Sequence, residues 1–179
     1  EALEENTTAS NNVAMGYQAL AANTTAHSGV SVGASSLTAN TTGNGNTGLG
    51  FETLKANTTG NYNTAVGYQS LVANVDGDRS VAVGALSLAS QEPASNVDMY
   101  NVAVGYAAGN AISTGIKNAF VGGEAGDATT TGSNNTGLGY GALGANTTAS
   151  NNTAVGYQAL LANTTGAYNI ALGSFTLDA

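Results

Sequence analysis

The side chains that could do chemistry are few, and most of them are carboxylates. Asn74-Val75-Asp76-Gly77-Asp78 places two carboxylates and an amide at alternating positions, which is typical of a calcium loop. Asp76 and Asp78 are therefore the candidate metal ligands. A calcium ion takes roughly six to eight oxygens, and Arg79 follows directly, so a solvated turn is the interpretation we favour.

The chain has few side chains of the types that perform catalysis. His27 is the only histidine, no cysteine is present, and His27 stands where other turns carry Asn or Gly. Glu124 and Asp127 are isolated, and paired-carboxylate glycoside hydrolysis needs a cleft that a sequence does not reveal. We therefore predict no catalytic residue, no cofactor and no enzymatic activity.

These residues are set within a strict repeat. A motif exemplified by Asn63-Thr64-Ala65-Val66-Gly67 recurs along the chain, with its glycine at Gly16, Gly33, Gly50, Gly67, Gly84, Gly105, Gly122, Gly139, Gly156 and Gly173. Eight intervals are 17 residues and one is 21. A period held this strictly indicates a stacked solenoid.

Each repeat reads as one coil of an all-β, parallel β-solenoid or β-roll. Apolar or Thr residues three and one positions before the glycine alternate with a small residue, which predicts a short strand. A leucine follows the glycine after four positions and suggests a second strand, and Asn-Thr-Thr-Gly segments predict left-handed corners. Helical repeats are disfavoured because they are longer and tolerate Gly, Asn and Thr poorly.

Equivalent positions of successive coils should form ladders along the axis. We expect Val and Leu rows to hold the coil or an interchain seam, Asn and Gly rows to shape corners, and Tyr rows to stiffen the seam or face sugars. The predicted ladder residues are Val66, Gly67, Tyr68, Leu71, Val83, Gly84, Val104, Gly105, Val155, Gly156, Tyr157 and Leu160. Aspartate at Val66 and Val83 should then destroy the rod.

Composition and charge exclude several partners. The formal net charge is −8 with only three cationic side chains, so the counterion release that drives nucleic-acid binding is missing. No apolar run approaches the length that spans a bilayer, so we predict no membrane insertion.

The chain is one repeat domain, residues 1–179, and we expect it to be a segment of a longer fibre. Residues 89–100 hold the extra four residues and the only proline, and they predict an inserted loop that either binds a partner or is a tolerated bulge. Gly109, Phe120 and Gly126 break the pattern, which predicts weak coils or a kink there.

Asn-x-Thr triplets are abundant, and each is a possible glycosylation acceptor. They begin at Asn6, Asn23, Asn40, Asn57, Asn134, Asn146, Asn151 and Asn163. Stacked Thr24, Thr41 and Thr58 also raise the alternative of an ice-binding solenoid, which thermal hysteresis in a freezing assay would reveal.

A coil this thin has few large apolar side chains to offset the entropy of ordering its residues. We therefore expect association with identical chains, either as a homotrimer around a common axis or as an end-to-end polymer.

The motifs Asn63-Thr64-Ala65-Val66-Gly67 and Asn101-Val102-Ala103-Val104-Gly105 resemble the head repeats of trimeric autotransporter adhesins. The longer stretch 152–166 resembles repeats of phage and bacterial tail-fibre-like proteins. The resemblance implies a left-handed, homotrimeric β-roll displayed outside the cell, on the cell surface or on a virion. It also implies a fibre that mediates attachment, with cell-surface glycans or a host receptor as partners. A self-assembling filament subunit is the alternative.

Overall fold

The computed structural model of the chain describes residues 1–177, which form a parallel β-solenoid of about ten coils. Each coil contributes one three-residue strand to a single ten-stranded sheet. The strands are β1 (Val13–Met15), β2 (Val30–Val32), β3 (Thr47–Leu49), β4 (Thr64–Val66), β5 (Val81–Val83), β6 (Val102–Val104), β7 (Ala119–Val121), β8 (Thr136–Leu138), β9 (Thr153–Val155) and β10 (Ile170–Leu172). The predicted β-solenoid is thus confirmed.

The register follows the repeat throughout. Ala65 of β4 pairs with Ala82 of β5, which pairs with Ala103 of β6. The longer interval between β5 and β6 does not shift the pairing, because its extra residues leave the stack before the next strand begins. Equivalent residues therefore form continuous rows along the axis.

The prediction of a second strand in each coil is wrong. After the glycine the chain runs through turns, since residues such as Gln69 and Leu71 have φ of +52° and +51°. Alternating left-handed residues cannot form an extended strand. The turns still bond to the next coil, for example from the Leu54 N–H to the Ser70 carbonyl at 3.1 Å.

The interior is filled by the leucine row and by the central residue of each strand. Leu71 and Ala65 are fully buried, whereas Val66 and Val83 are only half-buried because the first and third strand residues point outward. The leucines thus fill the coil, whereas the valines lie on its outside, where their predicted role in an interchain seam stays a prediction. A coil of 17 residues has room for a small residue opposite each leucine, not for a second large one.

Two asparagine rows lie in the interior, and the second of them also shapes the predicted corners, because each amide bonds the carbonyl three residues on, as Asn57 does to Gly60 at 3.0 Å. Asn63 is fully buried; its amide donates to the Gly77 carbonyl at 2.7 Å, and its Oδ1 accepts from the Ser80 N–H at 2.9 Å. In the second row the Asn57 amide donates to Asn40 Oδ1 at 2.7 Å. None of the Asn-Thr-Thr asparagines has a positive φ, and the left-handed residues lie elsewhere in the coil.

The three departures from the pattern compensate one another. Phe120 is fully buried at a strand centre, and its ring fills the space left where Gly109 and Gly126 replace two leucines. A Cβ on Gly126 would approach that ring to 2.4 Å. The strands on both sides keep their register, so the predicted kink is absent from β6 to β8.

The interior pattern also runs through the start of the 89–100 loop. Gln91 is fully buried and continues the second asparagine row by donating to Asn74 Oδ1 at 2.9 Å. Residues 94–98 are the continuous exposed part. An ion pair between Arg79 and Asp98 and a bridge between Asp78 and Asp98 hold this part against the preceding coil.

The glycine row predicts a sharp sensitivity to added bulk. Gly67 has a φ of +120°, and a Cβ there would lie 2.7 Å from the carbonyl carbon of Gly84. Gly67→Ala should therefore destabilise the rod by at least about 1 to 3 kcal/mol from backbone strain alone. Gly123→Ala is the matched control, because its Cβ would meet Tyr140 at an ordinary 3.4 Å. Equal melting temperatures for the two variants would contradict this account.

Candidate functional site

One face of the sheet is apolar and open to solvent. We call it the outer strand face, and it consists of the first and third residues of strands β1 to β10. Large exposed side chains on it are Val13, Met15, Leu49, Val102, Val104, Val121, Leu138, Ile170 and Leu172. None of the ten described strands contains a charged residue, and the polar side chains on this face are the threonines that begin β3, β4, β8 and β9. An apolar surface of this extent on a chain with net charge −8 is typical of an interface.

An aromatic row borders this face directly after the glycine row. Its members are Tyr17, Phe51, Tyr68, Tyr106, Tyr140 and Tyr157, and all six are exposed. Where aromatics follow in consecutive coils they stack, with ring centroids 5.6 Å apart for Phe51 and Tyr68 and 5.7 Å apart for Tyr140 and Tyr157. The row thus extends the apolar surface with side chains suited to contacts with proteins or sugars.

Asp76 and Asp78, the candidate calcium ligands, each accept hydrogen bonds from residues of the preceding coil. Asp76 Oδ1 accepts from the hydroxyls of Thr59 at 2.7 Å and Thr58 at 3.3 Å. Asp78 Oδ1 accepts from the Asn61 N–H at 2.7 Å. Across residues 1–177, no three His, Cys, Asp or Glu side chains converge closely enough to hold a metal. Both carboxylates therefore serve as acceptors for the preceding coil.

His27 is exposed and structural in its contacts. The ring Nδ1 of His27 accepts from the main-chain N–H of Ser10 at 3.0 Å, and the main-chain N–H of His27 donates to Asn44 Oδ1 at 2.8 Å. Asn44 in turn bonds to Asn61 in the same manner. The histidine thus belongs to a row of side-chain acceptors that joins neighbouring coils.

The glycosylation candidates divide by burial. Asn23, Asn40, Asn57 and Asn146 are buried in the second asparagine row, so a glycan on any of them would displace the interior. Asn6 and Asn163 extend that row at its two ends. Asn134 and Asn151 are exposed at left-handed corners with φ of +58° and +63°.

The threonine row considered for ice binding is engaged in the rod itself. The Thr24 and Thr41 hydroxyls each donate to a main-chain carbonyl of the next coil at 3.2 Å, and Thr58 donates to Asp76. The adjacent Thr25, Thr42 and Thr59 are exposed. The outward threonines therefore form a single row beside a corner.

Glu124 and Asp127, which looked isolated in the sequence, line a cavity of about 250 Å³ on the side of the rod. Tyr140, Gly141, Gly144, Ala145, Gln158 and Leu161 complete the lining, and we call this cavity the notch. Successive coils bring these residues together, since Glu124, Gly141 and Gln158 are 17 residues apart. Comparing equivalent positions of neighbouring coils is the signal that would have found it.

The notch contains two carboxylates, and a tyrosine hydroxyl is bonded to one of them. Tyr140 donates its hydroxyl to Glu124 Oε2 at 2.5 Å, and this bond raises the pKa of Tyr140. Burial, followed by the negative charge of Glu124, raises the pKa of the Asp127 carboxyl. Within residues 1–177, no cationic side chain forms an ion pair with either carboxylate.

None of the described residues lies in a helix long and apolar enough to cross a bilayer. Comparison of the chain with protein families, with curated proteins and with solved structures finds no match. The geometry of the outer strand face, the aromatic row and the notch is therefore the basis for the function proposed below.

Proposed function

We propose that this chain is a non-catalytic segment of an extracellular fibre, an adhesin or a phage tail fibre, and that it assembles as a homotrimer. The observation that carries the proposal is the outer strand face, which is apolar, uncharged and continuous along the rod. Its side chains are not needed inside, because the leucine row and the strand centres already fill the coil.

A second copy of the chain is the occupant that this face fits best. Its rows repeat once per coil, and an identical chain presents rows with the same spacing. Copies with a net charge of −8 repel one another, and this repulsion is weakest where they meet through a surface without charges. A repeating contact of this kind closes into a ring when the rotation between copies allows it. The resemblance to adhesin head repeats favours three copies and a left-handed coil.

The mass in solution tests this assembly. Light scattering should give three times the 17.5 kDa chain, and electron microscopy should show short rods. The double variant Val104→Asp, Leu138→Asp places charges on the outer strand face and should give folded monomers. Asn134→Asp adds a charge at an exposed corner and should remain trimeric.

A monomeric wild-type chain would overturn the homotrimer and return a self-contained ice-binding rod to consideration. Long filaments would instead favour the subunit of an end-to-end polymer. An unchanged mass in the double variant would show that copies associate through another surface.

A further inference from the structure

The notch is open because one coil has glycines, which lack side chains, at two of the lining positions. We number the coils by their row glycine, from coil one at Gly16 to coil ten at Gly173. Coil eight has glycine at both 141 and 144, whereas the equivalent positions carry Glu124 and Asp127 in coil seven and Gln158 and Leu161 in coil nine. A Cβ on Gly144 would lie 3.6 Å from Asp127 Oδ1 and 2.9 Å from Leu161 Cδ1. The two glycines thus leave an opening beneath the carboxylates.

Coil three, the coil of Gly50, has a carboxylate and a cation at the positions of Glu124 and Asp127, although the next coil places Gln69 and Val72 where the notch has Gly141 and Gly144. Glu52 is equivalent to Glu124, and Lys55, at the position of Asp127, places Nζ 2.6 Å from Glu52 Oε1. Gln69 of the next coil donates to the other oxygen at 2.7 Å. The hydrogen bond from Lys55, followed by that from Gln69, lowers the pKa of Glu52. An ammonium is therefore accommodated at this position of the coil.

In coil seven the lysine is replaced by Asp127, so a second carboxylate stands where the ammonium would be. The two carboxylates line one opening, and burial, followed by the charge of Glu124, raises the pKa of Asp127. A cation that enters the notch from outside would pair with these carboxylates, as Lys55 pairs with Glu52. The two carboxylates alone provide fewer oxygens than calcium normally takes.

We propose that the notch binds the ammonium group of an amino sugar, as presented by an oligosaccharide of glucosamine. The ammonium would lie between Glu124 and Asp127. The ring of Tyr140 lines the notch, and because Gly123 stands beside it in the preceding coil, one face of this ring has no aromatic partner and can contact a sugar ring. Gln158 lies nearby as a hydrogen-bonding amide. The inference rests on the proposed attachment function, for which it names a class of ligand.

The test compares two oligosaccharides that differ in charge. Titration calorimetry at about pH 6, where the sugar amine is protonated, should detect binding of a glucosamine oligomer and none of the N-acetylated oligomer of equal length. Asp127→Asn should weaken binding about tenfold or more, since it removes a charged partner of the ammonium. Asp127→Lys should abolish binding, because it recreates the internal cation of coil three.

Glu52→Gln is the matched control and should bind like the wild type, since Glu52 lies outside the notch and is already paired with Lys55. Circular dichroism of each variant checks the fold. Equal binding of both oligomers, or no binding of either, would overturn the proposal. Tighter binding of a short lysine peptide, or displacement of the sugar by calcium, would overturn the assignment to an amino sugar.

The mass of the same samples separates this inference from the proposed assembly. Trimers that fail to bind the glucosamine oligomer would refute the notch as a sugar site and leave the fibre intact. Monomers that bind it would refute the homotrimer and leave the notch.

Discussion

Replacing Leu71 by aspartate is expected to unfold the central coils of the rod. Leu71 is fully buried in the leucine row, and the new carboxylate would face Ala and Leu side chains without a partner. Losing the leucine and burying a charge together cost about 5 kcal/mol or more, which is comparable with the whole stability of a typical domain. Circular dichroism and amide hydrogen exchange would report the loss.

Val66→Asp is the matched control for this substitution. Val66 lies in the same coil as Leu71, but its side chain belongs to the half-exposed outer strand face. The variant should keep the hydrogen-exchange protection of its coils and act on association instead. If Val66→Asp unfolds the isolated chain while Leu71→Asp leaves it folded, then Val66 lies inside the coil and Leu71 outside it, contrary to the structure described.

The second large effect is expected from Asn63→Ala. The substitution leaves the buried Ser80 N–H without its acceptor, whereas the Gly77 carbonyl still accepts from the Asn74 amide at 3.0 Å. A buried donor left unsatisfied costs about 1 to 3 kcal/mol, so the free energy of unfolding should fall by at least that amount. Urea titration of variant and wild type at the same protein concentration measures the difference.

Asn96→Ala serves as its control because Asn96 is exposed and does not have a positive φ. A surface change of this kind should remain within about 0.5 kcal/mol of the wild type. Similar losses for both variants would mean that interior and exposed asparagines are energetically equivalent, contrary to the contacts described.

The repeat made the architecture predictable, because a fixed spacing of glycines and leucines leaves few folds open. Which face of each strand points to the interior was less predictable. An alternating strand exposes one of two faces, and a shift of one residue exchanges them. The large valines suggested the interior, yet the narrow coil accepts only a small strand centre, such as Ala65, where a leucine such as Leu71 fills the opposite side.

The repeat pattern also did not predict the backbone conformation of each turn or the partners of its polar side chains. Leucine rarely adopts positive φ, so the left-handed leucine row, and with it the loss of the second strand, had no local signal. Asn-Thr-Thr-Gly looked like a corner because asparagine is common in turns, whereas its buried amide ladder depends on the neighbouring coil. Glu124 and Asp127 became part of a notch only when Gly141 was placed beside them.

The main-chain bonds between coils determine how the rod would respond to tension. Because they connect each coil to the next along the axis, a pull on the two ends loads all coil boundaries in series, and the boundaries open one after another. Each coil that opens would release 17 residues and lengthen the chain by about 50 Å. An attached fibre made of such coils would yield in steps under shear, and dissipate force while its remaining coils keep their hold.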